Sequence, residues 1–63
     1  MTIKINANQY KAKLNQMLNE VIHKYGYEHE NTINFASVCE KYEHENNYAT
    51  LKAIRNIYTM LMK

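Results

Sequence analysis

A five-residue sequence occurs twice in this chain and divides it into three segments. Residues 27–31 and 42–46 both read Tyr-Glu-His-Glu-Asn. Apolar residues recur at helical spacing before, between and after the two copies, and the copies interrupt that spacing. The repeat therefore predicts two helix junctions. In each, two glutamates and a final asparagine suit the start of the next helix, because helix N-termini favour anionic and capping side chains.

The absence of proline and the presence of a single glycine favour long, uninterrupted helices. The hydrophobic spacing places these helices at about residues 8–25, 32–43 and 47–62. We expect Gly26 to end the first helix in the left-handed C′ position. The sequence thus predicts an all-α fold, a small three-helix bundle that occupies residues 1–63 as a single domain.

Each predicted helix start offers two side chains that could serve as the N-cap. The pairs are Asn6 or Asn8, Asn31 or Thr32, and Asn46 or Asn47. Residues 1–6, before the first helix, alternate polar and apolar side chains as a strand does. One short strand has no evident partner within this chain, so two arrangements fit. The segment is either an extended coil that lays Ile3 and Ile5 on the bundle, or a strand that pairs with a second copy.

The sequence carries no pattern typical of catalysis or of metal binding. Its one cysteine, Cys39, lies on the apolar face of the second helix, and no Cys/His spacing typical of zinc sites is present. His29 and His44 each lie between two glutamates, but residues i and i+2 face apart on a helix. The second helix also separates the two copies by about 18 Å. We therefore predict a non-enzymatic protein with no catalytic residues, no metal and no cofactor.

Residue usage and hydropathy predict the cellular setting. Asparagine, lysine, isoleucine and tyrosine, which have AT-rich codons, make up nearly half of the chain. This composition favours a low-GC bacterium, or a phage or other mobile element that lives in one. No apolar run approaches the ~18 residues of a membrane span, and the N-terminus has no hydrophobic signal core. A lone cysteine suits a reducing compartment. We expect the cytoplasm of a bacterial host and no membrane association.

The distributions of charge and of tyrosine favour a protein partner. The net charge is +2, yet five of the six acidic residues lie between Glu28 and Glu45, where they would repel phosphate. Tyrosine is enriched at protein interfaces. The predicted protein-binding residues lie at the two junctions: Tyr27, Glu28, Glu30, Tyr42, Glu43, Glu45 and Tyr48. We predict a small regulator or inhibitor of a host protein, encoded by a phage or other mobile element.

A surplus of apolar residues predicts that another chain covers part of the surface. Met60, Leu61 and Met62 are consecutive, and a helix cannot direct three consecutive side chains to one side. Together with Ile3 and Ile5 they exceed what one small core can cover. We expect a protein partner, or self-association as a homodimer.

The alternative is a small DNA-binding transcriptional regulator. The second and third helices have roughly the lengths of a helix-turn-helix over residues 33–58. Its recognition face would present Asn47, Thr50, Lys52, Arg55 and Asn56, and arginine and asparagine are good base readers. The acidic turn, which lacks a glycine, makes this the second choice. A ribbon-helix-helix that pairs residues 2–6 of two copies ranks lower, because the first helix is too long for that fold.

Overall fold

The computed structural model describes residues 3–63 of the chain. Three helices follow one another: α1 (Ala7–Tyr25), α2 (Glu30–Lys41) and α3 (Tyr48–Leu61). Each helix packs against both of the others, which confirms the predicted all-α three-helix bundle. Among the helices described, none combines the length and the apolar character that crossing a membrane requires.

The core takes one apolar face from each helix. Its buried side chains are Tyr10, Leu14, Met17 and Val21 of α1, Phe35 and Cys39 of α2, and Leu51 and Ile54 of α3. Full burial of one large apolar side chain contributes about 1.5–3 kcal/mol. Ile5, Leu61 and Met62 pack against this core from outside. The surplus that we expected from Ile3, Ile5, Met60, Leu61 and Met62 is therefore smaller, and of these five residues Ile3 and Met60 are the ones strongly exposed.

The N-terminal segment finds its partner inside the chain, so the expectation that it has none was wrong. The Ile5 amide donates to the Asn46 carbonyl at 2.7 Å, and the Tyr48 amide donates to the Ile3 carbonyl at 2.8 Å. Lys4 and Asn47 form an isolated antiparallel bridge. The junction between α2 and α3 supplies an extended residue at this point, which no local pattern announces. Residues 1–2 lie outside the described residues, and they include Thr2 of the ribbon-helix-helix alternative.

The first junction reverses the chain at Gly26 and caps α2 with a histidine. Gly26 has a positive φ of 92°, as a left-handed residue does, but its ψ of 162° is extended and lies outside the left-handed helical region that was predicted. Its amide donates to the Ile22 carbonyl at 2.7 Å. The N-cap of α2 is His29, whose Nδ1 accepts a hydrogen bond from the Asn31 amide at 3.0 Å. The prediction of Asn31 or Thr32 as the cap was wrong. Because His29 accepts the hydrogen bond from the Asn31 amide, Asn31 and Thr32 both lie inside the helix. The helix consequently begins two residues earlier than predicted.

The second junction lies wholly between helices. α2 ends at Lys41, two residues earlier than predicted, and Tyr42 caps its C-terminus. Asn46 has φ 51°, a left-handed conformation that asparagine tolerates better than most residues. Asn47 is the N-cap of α3, and its Oδ1 accepts from the Thr50 amide at 2.7 Å. Of the predicted pair of caps, Asn47 is the one used.

Further side-chain hydrogen bonds satisfy backbone groups at the start of α1 and at the end of α3. Asn6 caps α1, where its Oδ1 accepts from the amides of the second and third residues after it. At the opposite end, Lys24 Nζ donates to the carbonyls of Leu61 at 3.0 Å and Lys63 at 2.8 Å, and the Tyr25 hydroxyl also donates to Leu61. Carbonyls in the last turn of a helix have no amide donor within that helix. The side chains of Lys24 and Tyr25 in α1 therefore supply the donors for the end of α3.

Candidate protein-binding surface

An apolar groove runs between α1 and α2. It has a volume of ≈ 420 Å³ and is lined by Leu18, Ile22, Tyr27, Thr32, Ile33, Ala36, Ser37 and Glu40. Ile33 is 56 % exposed and Tyr27 is 77 % exposed, although both are large apolar side chains. Ile33 points away from the core because it lies about half a turn from Phe35 around α2. The groove therefore presents apolar surface that the bundle itself does not cover.

A second depression of ≈ 250 Å³ continues this groove along α1 and α2. It shares Leu18, Ala36 and Glu40 with the first, and it adds Lys11, Leu14, Asn15, Cys39 and Glu43. We call the two together the α1–α2 groove. Leu18 is half-buried rather than part of the closed core, because it forms the floor that both depressions share.

The rim of the α1–α2 groove is acidic. Glu40 and Glu43 line it, and Glu30 lies three residues before Ile33 on the same face of α2. Lys11 is the one cation among the lining residues. Within residues 3–63, His44 Nε2 lies 3.1 Å from Glu43 Oε1, a contact that is an ion pair only when the imidazole is protonated, and His44 is 84 % exposed. Glu30 and Glu40 are exposed, and within residues 3–63 no cationic side chain lies at ion-pair distance from either carboxylate. Their negative charge therefore faces the solvent at the opening of the groove.

The groove contains an unpaired buried hydroxyl. Thr32 is 3 % exposed, and within the described residues its Oγ1 has no hydrogen-bond partner. A buried hydroxyl without a partner destabilises a fold, because it loses its contacts with water and gains none. Thr32 lies in the first turn of α2 at the wall of the groove, so this cost is located at the candidate surface.

A different cleft, of ≈ 290 Å³, separates α1 from α3. It is lined by Lys13, Gln16, Met17, Glu20, Leu51, Arg55 and Tyr58. The Tyr58 hydroxyl donates to Glu20 Oε2 at 2.7 Å. This hydrogen bond, followed by burial and the charge of Glu20, raises the pKa of Tyr58, while Arg55 acts in the opposite direction. Lys13 of α1 and Arg55 of α3 outnumber Glu20 among the residues that line this cleft, so its net charge is positive. The α1–α2 groove has a net negative charge instead.

The predicted protein-binding residues fall into two groups at opposite ends of α2. Tyr27, Glu28 and Glu30 are exposed at its start, next to the α1–α2 groove. Tyr42, Glu43, Glu45 and Tyr48 lie after its end, where Tyr48 is 52 % exposed and Tyr42 36 %. Because α2 is about 18 Å long, the two groups do not form one patch. Only Glu43 of the second group lines the α1–α2 groove.

The predicted DNA-reading residues do not share one face of α3. Asn47 is 8 % exposed, and its side-chain amide is engaged by the Thr50 amide and the Glu45 carbonyl. Thr50 is half-buried and lies roughly 160° around the helix from Lys52. Lys52, Arg55 and Asn56 are exposed and span about 100° of the helix. The structure thus leaves three of the five residues on a common solvent face.

The reactive side chains show no metal-binding arrangement in the described part of the chain. Among residues 3–63, no three histidine, cysteine or acidic side chains converge as metal ligands would. Cys39 is buried as expected, and burial raises the pKa of its thiol to about 11. The thiol is therefore protonated at neutral pH, and the reactive thiolate is scarce.

The sequence analysis did not single out the apolar residues that line the groove on α1 and α2, which are Leu18, Ile22, Ile33 and Ala36. A signal was present: each helix carries more apolar positions than one seam between three helices can bury. Comparisons of this chain with protein-family models, with curated proteins and with solved structures found no match.

Proposed function

We propose that this protein is a non-enzymatic binding module whose α1–α2 groove takes a basic amphipathic helix of a partner protein. The observation that carries the proposal is an open apolar groove with an acidic rim. Ile33 and Tyr27 supply exposed apolar contact, and Glu30, Glu40 and Glu43 supply the charge. An amphipathic helix binds such grooves through residues at i, i+3, i+4 and i+7.

The size of the groove suits one helix rather than a small molecule. It extends along the packed lengths of α1 and α2, and it is open to solvent along one side. Small-molecule sites bury most of the ligand surface in a concave pocket. A helix instead buries only one face, and its opposite face remains in solvent. Lysine and arginine at the edges of that buried face would meet the acidic rim and would speed association.

The proposal retains the regulatory role that we expected from the sequence. A module of 63 residues that binds by surface contact can act as a regulator or inhibitor by covering a basic helix of a host protein. The composition supports a low-GC bacterial setting, with a phage or other mobile element as the source. The acidic groove would be the surface that recognises the host protein.

Binding of a duplex DNA is the second candidate, and one observation favours it. Lys13 and Arg55 are exposed and line the α1–α3 cleft, Lys52 is exposed on α3, and none of the three lines the acidic α1–α2 groove. Against it, a helix-turn-helix presents the N-terminal residues of its recognition helix to the bases. Here Glu43 and Glu45 lie just before that end of α3 and would face the phosphates.

A pair of synthetic peptides tests the first candidate. One is an amphipathic helix of about 15 leucine and lysine residues, and the other has glutamate in place of lysine. Fluorescence anisotropy should show that the lysine peptide binds at least about tenfold more tightly, since that ratio requires only about 1.4 kcal/mol. Its affinity should fall as salt screens the exposed charges.

Two variants locate the binding. Ile33→Lys places a cation in the apolar wall of the α1–α2 groove and should abolish binding of the lysine peptide. Ile57→Lys is the matched control, because Ile57 is also an exposed isoleucine within a helix but lies outside this groove. Equal binding by both variants would contradict the proposal. Salt-sensitive duplex binding that is lost in Arg55→Ala would favour the DNA-binding candidate instead.

A further inference from the structure

The cleft between α1 and α3, which we call the α1–α3 cleft, has a cation on each of its two walls. Lys13 lies on α1 and Arg55 on α3, and both side chains are exposed. Within residues 3–63 neither side chain lies at ion-pair distance from a carboxylate. The cleft therefore holds two positive charges that the described part of the chain does not pair, and they belong to different helices.

Glu20 is the one carboxylate among the described residues that line this cleft, and a neutral donor occupies it. Glu20 Oε2 accepts a hydrogen bond from the Tyr58 hydroxyl at 2.7 Å. A guanidinium is the stronger partner for a carboxylate, because its hydrogen bonds are charge-assisted. The hydrogen bond and then burial raise the pKa of Tyr58, and Arg55 is near enough to act in the opposite direction. Tyr58 thus occupies Glu20 and leaves the nearby Arg55 available to a ligand.

The α1–α3 cleft also has an apolar floor. Met17 of α1 and Leu51 of α3 line it, and both are buried members of the core. Gln16 adds a side-chain amide that can donate a hydrogen bond. The volume of ≈ 290 Å³ lies close to the lower end of the range of small-molecule sites. Such a cleft suits a small ligand that has both a charged group and a hydrocarbon body.

We propose that the α1–α3 cleft binds a small carboxylate with an apolar body, at a site separate from the α1–α2 groove. Arg55 and Lys13 bind the carboxylate from opposite walls, and Met17 and Leu51 contact the hydrocarbon. The charge of the cleft favours a carboxylate over a phosphate, because the two cations exceed Glu20 by a single charge, which a monoanion neutralises. A phosphate monoester carries about −1.5 to −2 at pH 7 and would leave excess negative charge beside Glu20.

Titration with 3-phenylpropionate, followed by chemical shifts of the backbone amides, tests the site. The acid should bind saturably, with the largest shifts at the residues that line the α1–α3 cleft. Acetate has the charge without the body, and 3-phenylpropan-1-ol has the body without the charge. Each should bind at least about tenfold more weakly, since each loses one of the two kinds of contact. The absence of a saturable shift, equal affinity for the acid and the alcohol, or tighter binding of phenyl phosphate would overturn the proposal.

Variants of the two cations locate the carboxylate. Arg55→Gln and Lys13→Gln should each raise the Kd for 3-phenylpropionate by about tenfold, because each removes a charge-assisted hydrogen bond. Lys52→Gln is the matched control, since Lys52 is also an exposed cation within α3 but does not line the cleft. Its Kd should equal that of wild type. If Lys52→Gln weakens binding as much as Arg55→Gln does, the acid responds to general surface charge and the proposal is wrong.

A second pair of variants tests Tyr58 as a positioning residue. Tyr58→Phe frees Glu20 to pair with Arg55 and should weaken binding of 3-phenylpropionate. Glu20→Gln removes the competing negative charge and should strengthen binding, although both variants lose the same hydrogen bond between α1 and α3. Circular dichroism measures the helix content of each variant. Opposite changes in Kd support the role of Tyr58, whereas weaker binding in both variants would show that the hydrogen bond serves the fold alone.

Discussion

The first copy of the repeated pentapeptide starts a helix, whereas the second copy lies between helices. In the first copy, His29 is the N-cap and residues 30–31 already belong to α2. In the second, Tyr42 ends α2, Asn46 takes a left-handed conformation, and the N-cap is the next residue, Asn47. The same five residues therefore have different structural roles in the two junctions.

The difference arises from contacts outside each pentapeptide. The second copy is held by the hydroxyl of Tyr10, which donates to the Tyr42 carbonyl at 2.7 Å, and by the Ile5 amide, which donates to Asn46. The first copy follows Gly26, and its His29 ring packs against the Tyr25 ring with centroids 4.7 Å apart and a tilt of 40° between the ring planes. At the second junction, contacts with residues far away in the sequence determine the backbone conformation. At the first junction, Gly26 and the neighbouring Tyr25 determine it.

The largest effect is expected at the turn that opens the first junction. At φ 92° and ψ 162°, Gly26 occupies a region that is essentially restricted to glycine. Gly26→Ala should therefore lower the free energy of unfolding by about 1–3 kcal/mol. An added Cβ would meet no atom within 4 Å, so the loss comes from backbone strain alone. Urea unfolding measures it, and an unchanged midpoint would contradict this account of the turn.

The asparagine that ends each copy provides the next comparison. Asn46→Ala should destabilise the protein by about 1–2 kcal/mol, because alanine pays the full steric cost of a left-handed residue. Asn31→Ala changes the same position of the first copy, where the residue is helical and alanine is favourable. It should have little effect on the unfolding midpoint. Equal losses in the two variants would show that the two asparagines share one role.

Substitution of the two histidines should also destabilise the protein more in the first copy than in the second, by a smaller amount than the changes above. His29→Ala removes the N-cap of α2 and should cost about 1 kcal/mol. His44→Ala should change stability little, because His44 is 84 % exposed and exposed ion pairs contribute little. Thermal unfolding of the two variants against wild type makes the comparison. A larger loss in His44→Ala would reverse the assignment of the cap.

The smallest expected effect is a loss of stability at alkaline pH that involves Tyr10, whose hydroxyl donates to the second junction. Burial, then the nearby charges of Glu45 and Cys39, raises the pKa of Tyr10 above its ordinary value of 10.0. The unfolded chain therefore ionises first, and this contribution to stability is present below pH 10 and is lost as pH rises through the folded pKa. Cys39 acts in the same direction between pH 9.0 and about 11. Urea unfolding at rising pH should show a decline that is shallower in Tyr10→Phe than in wild type.

Local sequence determined the number of helices, their main apolar faces and the glycine turn. Asn6 and Asn47 are caps, and each was one of the two residues predicted for its helix start, since a cap bonds to amides only two or three residues away. Tyr10, Phe35 and Ile54 lie on apolar faces that the helical spacing of the sequence marks, and they are fully buried. These features depend on interactions within one or two turns of chain, which a sequence pattern displays directly.

Only the tertiary structure decided how the remaining surface is used. It paired Ile3 and Ile5 with the second junction, replaced the expected cap of α2 with His29, and left Ile33 and Ile57 outside the core. It also separated an acidic groove from a basic cleft within one mixed sequence. Each outcome depends on which helix faces meet, and hence on contacts between residues far apart in the chain. Spacing along the sequence marks an apolar face, but packing against the other helices decides whether that face is buried.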